Sequence, residues 1–96
     1  MTELVLRSAR AQLLKPLVQA ALHNELRLLE SSIRRAQEKL RVWEAQYGYS
    51  TPEFVRRFEE NELEETLELA EWVGEQRLLE RLLEKAQTLR EVQFAD

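Results

Sequence analysis

Apolar residues recur along the first half of the chain at alternating steps of four and three. This heptad pattern predicts one long helix over residues 22–47, with a single apolar stripe that packs against another helix. Charged residues between the stripe positions are often paired with opposite sign at i and i+4, which also favours a helix. The stripe comprises Leu22, Leu26, Leu29, Ile33, Ala36, Leu40, Trp43 and Tyr47.

A second apolar pattern predicts another long helix over residues 66–92, with a broader apolar face. Gly74 lies inside this helix, where glycine costs about 1 kcal/mol relative to alanine. We therefore expect Gly74 to mark a close helix crossing next to Trp72. The residues of this helix expected in the seam that packs against the first stripe or against a second chain are Leu78, Leu79, Leu82, Leu83 and Leu89.

Residues 1–21 have helical apolar spacing but include Pro16. Proline has no N–H donor, and inside a helix its ring clashes with the preceding turn. The sequence therefore predicts a short N-terminal helix and a bend or fresh start near Lys15.

Helix-ending and helix-starting residues define a connector over residues 48–65. Gly48 can adopt the left-handed conformation that ends a helix, and Asn61 tolerates it too. Two starts are open for the short helix between them: Ser50 caps it with Glu53 reaching back, or Thr51 caps it with Pro52 in the first turn.

Together these elements predict an all-α fold in a single domain over residues 1–96. Its architecture is an antiparallel helical hairpin (long helix, short connector helix, long helix) preceded by the short N-terminal helix. A hairpin of this length has a small core, and apolar residues remain on the N-terminal helix and beside Leu78 and Leu82. We therefore expect two chains to pair as a homodimeric helical bundle.

Composition narrows the class of protein. The chain has no cysteine, which excludes disulfide scaffolds, thiolate zinc sites and cysteine nucleophiles. Its N-terminal apolar residues are interrupted by charges, so we predict no signal peptide, no membrane span and a cytoplasmic location.

The acidic charge of the chain is concentrated in one segment. The net charge is -4, and residues 53–80 contain ten acidic and three basic residues. Such a segment repels nucleic acid, so direct nucleic-acid binding is not expected, and it suits a basic protein partner. A solvated helix face is the alternative explanation.

Glutamate-rich helices can bind divalent metal, as in all-helical nucleotide pyrophosphatases. Glu64, Glu65 and Glu68, with Glu71 and Glu75 nearby, fit half of such a magnesium site. The other half should come from a facing helix, but the remaining candidates (Glu80, Glu84, Glu91) lie further along the same helix. The only histidine, His23, has no partner at a metal or catalytic spacing. We therefore predict no enzyme activity, no metal site and no cofactor.

Six aromatic residues fall at or near the turn end of the predicted hairpin. They either seal that end of the core or contact a partner, because tyrosine and tryptophan are frequent interface anchors. With the neighbouring carboxylates they give the candidate partner-binding residues Tyr49, Phe54, Phe58, Glu64, Glu65, Glu68 and Trp72.

Several of these positions belong to a set of short motifs spread over roughly residues 20–92. The motifs are Trp43-Glu44, Tyr47-Gly48, Ser50-Thr51, Glu53-Phe54, Phe58-Glu59, Glu62-Leu63, Glu71-Trp72 and Gly74-Glu75. In these motifs the chain resembles small prokaryotic helical antitoxins of the TumA type, encoded beside a nuclease-like toxin in TumE/TumA pairs. One departure is Asn61, where the family commonly has glycine.

The resemblance implies a non-catalytic function: binding and neutralising a cognate toxin, with the acidic segment facing a basic nuclease surface. Two other classes stay open on the sequence. They are a homo-oligomeric coiled-coil scaffold without a toxin, and a magnesium-dependent all-α nucleotide pyrophosphatase.

Overall fold

The structure is a computed structural model that describes residues 2–5, 7 and 10–94. Most of these residues are helical, and the predicted order of a long, a short and a long helix is confirmed. In chain order the elements are β1 (Thr2–Leu4), α1 (Ala11–Tyr47), α2 (Thr51–Glu59), α3 (Leu67–Arg90) and β2 (Val92–Phe94).

The two long helices run in opposite directions along an elongated particle of 60 × 21 × 18 Å. Lys39 Nζ lies 3.3 Å from Glu75 Oε1, and Arg90 Nη2 lies 3.9 Å from Glu30 Oε1. Since the residue number on α3 rises as that on α1 falls, α1 and α3 form an antiparallel pair. We call the end that carries α2 the closed end, and the end that carries β1 and β2 the open end.

The core lies between α1 and α3 and continues under α2. The α1 stripe supplies its middle part as buried residues, while Leu22, Leu26, Trp43 and Tyr47 are half-buried. The buried apolar residues are Leu29, Ile33, Ala36, Leu40, Phe54, Leu69, Trp72, Val73, Leu79 and Ala86.

On α3, only part of the expected packing set faces α1. Leu79 is buried and Leu82 and Leu89 are half-buried, whereas Leu78 and Leu83 are exposed. The prediction was wrong for these two leucines because the broad apolar face of α3 contains a narrower heptad seam. That seam runs through Trp72, Glu75, Leu79, Leu82, Ala86 and Leu89.

The break expected at Pro16 is absent, because α1 is one helix that includes Pro16. Proline inside a helix costs about 3 kcal/mol through one lost hydrogen bond and a clash with the preceding turn. Pro16 is exposed, and leucine, alanine and glutamine on both sides keep the helix intact. The part of the predicted N-terminal helix at residues 1, 6, 8 and 9 lies outside the described residues.

The pairing of two short strands at the open end was not predicted. Strands β1 and β2 are parallel, with Thr2 opposite Val92 and Leu4 opposite Phe94. Val92 was assigned to the second long helix, but α3 ends at Arg90. Three-residue strands are too short for their alternation to be recognised in a sequence.

Gly74 does not mark a helix crossing. It is exposed, and a Cβ atom built on it would have no atom within 4 Å beyond its own neighbourhood. Glycine at this position only weakens the helix, through its backbone entropy.

We therefore expect Gly74→Ala to stabilise the chain by about 0.5–1 kcal/mol, as measured by urea unfolding followed by circular dichroism. Gly48→Ala is the matched control and should destabilise, because Gly48 has φ = +76°. A loss of stability in Gly74→Ala would contradict the absence of a neighbour at this site.

Candidate functional site at the closed end

The turn from α1 to α2 is built by local hydrogen bonds. Gly48 is left-handed, and its N–H donates to the Glu44 carbonyl oxygen at 2.9 Å. The Glu44 side chain then accepts a 2.7 Å hydrogen bond from the N–H of Thr51 at the start of α2. One glutamate of α1 therefore holds both sides of the turn.

Ser50 is the cap of α2 and Pro52 lies in its first turn, so the structure combines one feature of each predicted start. The Ser50 hydroxyl accepts from the N–H of Glu53 at 3.3 Å. Asn61, just beyond the other end of α2, has φ = 57°, so its predicted left-handed conformation is confirmed. These two termini fix the path of the chain from α1 through α2 to α3.

A stack of aromatic rings fills the space between the three helices. The rings of Phe54 and Trp72 are nearly parallel, with centroids 3.8 Å apart, and both side chains are fully buried. Trp43 and Tyr47 from α1 lie 6.1 and 5.5 Å from Trp72, and Phe58 lies 5.8 Å from Phe54. We call these five residues the aromatic cluster.

The burial of Phe54 and Trp72 corrects their assignment as partner-binding residues. A side chain without accessible surface cannot touch a partner, so these two residues seal the end of the core. Tyr49 and Phe58 are half-buried and keep some accessible surface. The guanidinium of Arg57 lies 4.5 Å from the centre of the Tyr49 ring, a cation–π contact that covers part of it.

Thr51 is the buried polar partner of the aromatic cluster. The indole N–H of Trp72 donates to Thr51 Oγ1 at 3.1 Å, across 21 residues of sequence. Sequence reasoning treated Thr51 only as a possible helix cap, and no local pattern indicates this longer-range role.

Replacing Thr51 with valine is expected to destabilise the chain by about 1–3 kcal/mol, because the buried indole N–H of Trp72 loses its acceptor. Thr51→Ser keeps the hydroxyl and is the control, with a smaller loss. Urea unfolding measures both. Equal losses in the two variants would show that the hydrogen bond contributes nothing.

Arg56 organises the carboxylates of α2 and the loop that follows. It donates to both oxygens of Glu53 at 3.1 and 2.8 Å, and to Glu60 and Glu62 at 2.6 and 3.0 Å. Arg57 donates to Glu53 as well, at 2.9 Å. This network was missed because a count of acidic residues does not show which of them one arginine can reach.

The network shifts the pKa values of its members. Hydrogen bonds from Arg56 and then Arg57 lower the pKa of Glu53 to about 2. A hydrogen bond between the two carboxyl groups raises the pKa of Glu60 and lowers that of Glu62. The carboxylates, chiefly Glu53, in turn raise the pKa of Arg56.

The lowered pKa of Glu53 makes stability depend on pH in a defined window. Its ion pairs stabilise the folded chain fully above about pH 4.5, and this contribution is lost as pH falls toward 2. We expect Glu53→Gln to lower the melting temperature at neutral pH but to match the wild type near pH 2. A difference that persists unchanged at low pH would contradict this assignment.

A second group of carboxylates is exposed and lies at the start of α3. Glu64, Glu65 and Glu71 are exposed and Glu68 is half-buried. Within residues 2–5, 7 and 10–94, none of the four forms a salt bridge. We call these four residues the acidic surface.

The acidic surface adjoins the aromatic cluster. A hydrogen bond to Glu68, with burial and the charge of Glu68, raises the pKa of Tyr47 above its ordinary 10.0. Glu64 lines an open groove of about 220 Å³ together with Tyr47, Tyr49, Leu63, Thr66 and Leu69, over the buried rings of Phe54 and Trp72. The site thus presents carboxylates and partly accessible tyrosines on a well-packed base.

The described part of the chain contains no group of three or more acidic or histidine side chains arranged to bind a metal ion. Glu80, Glu84 and Glu91 are exposed on α3 or at its end, and His23 is exposed on α1. None of the described helices is both long and apolar enough to cross a bilayer.

Comparison of the chain with protein-family models, with curated proteins and with solved structures finds no match.

Proposed function

We propose that this chain is a non-catalytic, cytoplasmic protein-binding module of the antitoxin kind. In this proposal it neutralises a nuclease-type toxin encoded next to it. The observation that carries the proposal is the acidic surface, whose exposed carboxylates form no salt bridge within the described residues. The resemblance to TumA-type antitoxins points the same way.

Electrostatic attraction explains how this surface could bind and block a nuclease. A nuclease binds phosphates with a basic surface, and carboxylates can occupy the places of those phosphates. Opposite charges also accelerate encounter, so a toxin would be captured soon after synthesis. The carboxylates that Arg56 binds are already compensated, whereas those of the acidic surface have no ion pair within the described residues and can meet a basic partner.

The rigid packing of the helices beneath the acidic surface supports the same function. The acidic surface starts in the short loop before α3, and Thr66 caps α3 by accepting from the N–H of Leu69 at 3.2 Å. The buried Trp72 and Phe54 fix α3 against α1 and α2. Glu68 and Glu71 project from this fixed helix, so they lose less entropy on binding than carboxylates on a mobile loop would.

Co-expression with the neighbouring open reading frame tests the proposal. The neighbour alone should arrest growth, the pair should restore it, and the two proteins should co-purify. A neighbour that is harmless and does not co-purify overturns the antitoxin function.

A homo-oligomeric scaffold without a toxin is the second candidate, favoured by the large leucines that α1 exposes. A stable oligomer of the chain alone, with no partner in the co-expression experiment, would support it. Magnesium-dependent hydrolysis of nucleoside triphosphates by the purified chain would overturn the non-catalytic part of both proposals.

A further inference from the structure

The open groove at the closed end combines apolar walls with a single charged side chain. We call it the tyrosine groove, since Tyr47 and Tyr49 both line it. Its charged residue is Glu64, which is exposed and forms no salt bridge within residues 2–5, 7 and 10–94. No lysine, arginine or histidine of the described chain lines the groove. Its carboxylate is therefore not neutralised by a cation of the described residues.

An occupant of the tyrosine groove must be apolar along its length and positively charged at one end. An entirely apolar side chain would take water from the Glu64 carboxylate without giving it a hydrogen bond, which is unfavourable. A small cation would leave the tyrosine and leucine walls in water. Arginine and lysine meet both requirements, because they lay their aliphatic stems along apolar surface and keep the charge at the tip.

The tyrosines favour arginine over lysine. A guanidinium stacks on aromatic rings and can donate two parallel hydrogen bonds to a carboxylate, whereas an ammonium is a compact, strongly hydrated charge. The chain makes the same kind of contact itself, since the guanidinium of Arg57 lies 4.5 Å from the centre of the Tyr49 ring. Arg57 is paired with Glu53 and does not line the groove, so Tyr49 keeps other surface for a second contact.

The start of α3 is compatible with a cation in the groove. The N-terminus of a helix carries a partial positive charge, which by itself would disfavour an arginine nearby. Glu68 in the first turn of α3 offsets that charge. Thr66 Oγ1 also accepts from the N–H of Leu69, which satisfies one of the donors that a helix start leaves unpaired.

We propose that the tyrosine groove takes an arginine side chain from the surface of a basic partner protein, with the guanidinium paired to Glu64. The inference rests on the proposed function and deepens it, because it names the side chain with which the partner is anchored. Arginine and tyrosine are among the residues that carry most of the binding energy in protein interfaces. Glu65, Glu68 and Glu71 do not line the groove, so they attract the partner without touching this arginine.

Titration with short capped peptides tests the groove directly. The probe is acetyl-Gly-Arg-Gly-amide, added to the isotope-labelled wild-type chain and followed by two-dimensional NMR. The backbone amide signals of Leu63, Thr66 and Leu69 should shift and reach saturation. The same peptide with citrulline, which has the shape of arginine without its charge, or with norleucine should shift them far less. An equal response to either neutral peptide overturns the inference, and so does the absence of shifts with the arginine peptide.

Two neighbouring glutamates provide a matched pair of variants. Glu64 lines the groove, whereas Glu65 is equally exposed beside it and does not. Glu64→Gln should raise the dissociation constant of the arginine peptide about 3–5-fold, the size that one exposed ion pair supports. Glu65→Gln should change it less than about twofold, because salt screens a charge without direct contact. Equal effects would show that overall acidity attracts the peptide, and would overturn the inference.

The same two variants separate this inference from the proposed function. If the product of the neighbouring open reading frame co-purifies with the chain, Glu64→Gln should weaken its binding more than Glu65→Gln does. A toxin that binds both variants equally overturns the anchoring arginine and leaves the antitoxin function intact. A harmless neighbour that does not co-purify overturns the antitoxin function, while the peptide titration still decides whether the groove takes arginine.

Discussion

Replacing Trp72 with alanine is expected to remove about 3–5 kcal/mol of folding free energy, as large buried side chains do when truncated. Trp72 is fully buried and stacks on Phe54 at 3.8 Å. The change would leave a cavity between all three helices and remove the donor bound by Thr51. A chain of this length has a total stability of about 5–14 kcal/mol, so the variant would lose a large share of it.

Urea unfolding followed by circular dichroism measures the effect. Trp43 remains in this variant, so its fluorescence gives a second signal for the same transition. Trp43→Ala is the matched control, because it removes the same side chain from a half-buried position on α1. Its loss should be clearly smaller. If Trp43→Ala costs as much as Trp72→Ala, then Trp72 is not the centre of the closed end.

Local chemistry explains why the turns could be predicted. Gly48, Ser50 and Asn61 act through their own backbone or through hydrogen bonds to residues a few positions away. The α1 stripe could be predicted equally well, because a narrow heptad pattern leaves only one face of the helix for packing. These features are encoded within a few residues and do not depend on the rest of the fold.

Features set by tertiary context could not be predicted in the same way. Leu78 and Leu83 look like core leucines until the seam of α3 is known. The hydrogen bond between Thr51 and Trp72 joins residues that become neighbours only after the hairpin closes. At Pro16 a local signal was misleading. Proline predicts a helix break, but the strong helix formers on both sides keep α1 continuous despite the missing hydrogen bond.

The candidate site was predicted in composition but not in arrangement. The sequence grouped aromatic residues and glutamates as one partner-binding set, whereas the structure puts Phe54 and Trp72 beneath the surface. It also divides the carboxylates, since Arg56 binds Glu53, Glu60 and Glu62 and leaves the acidic surface uncompensated. The division depends on which carboxylates lie within hydrogen-bond distance of Arg56. A count of charges along the chain does not contain that information.

Reversing the charge of the acidic surface is expected to weaken binding of the proposed toxin at least about 100-fold, mainly by lowering the association rate constant. The variant is Glu64→Lys, Glu65→Lys and Glu71→Lys. Glu68 is left unchanged because its contact with Tyr47 would confound binding with folding. Surface plasmon resonance against the co-purified partner measures both rates. The wild-type association rate should fall with added salt, and the variant's should not.

A matched triple variant separates local charge from net charge. Glu80→Lys, Glu84→Lys and Glu91→Lys makes the same change in net charge at exposed positions further along α3 and at its end. It should bind the toxin far more tightly than the first variant, because charges beyond one Debye length of the contact are largely screened. Circular dichroism must show that both variants stay helical, since carboxylates near the start of α3 also interact favourably with its dipole. Equal binding by the two folded variants would mean that the acidic surface is not the place where the toxin docks.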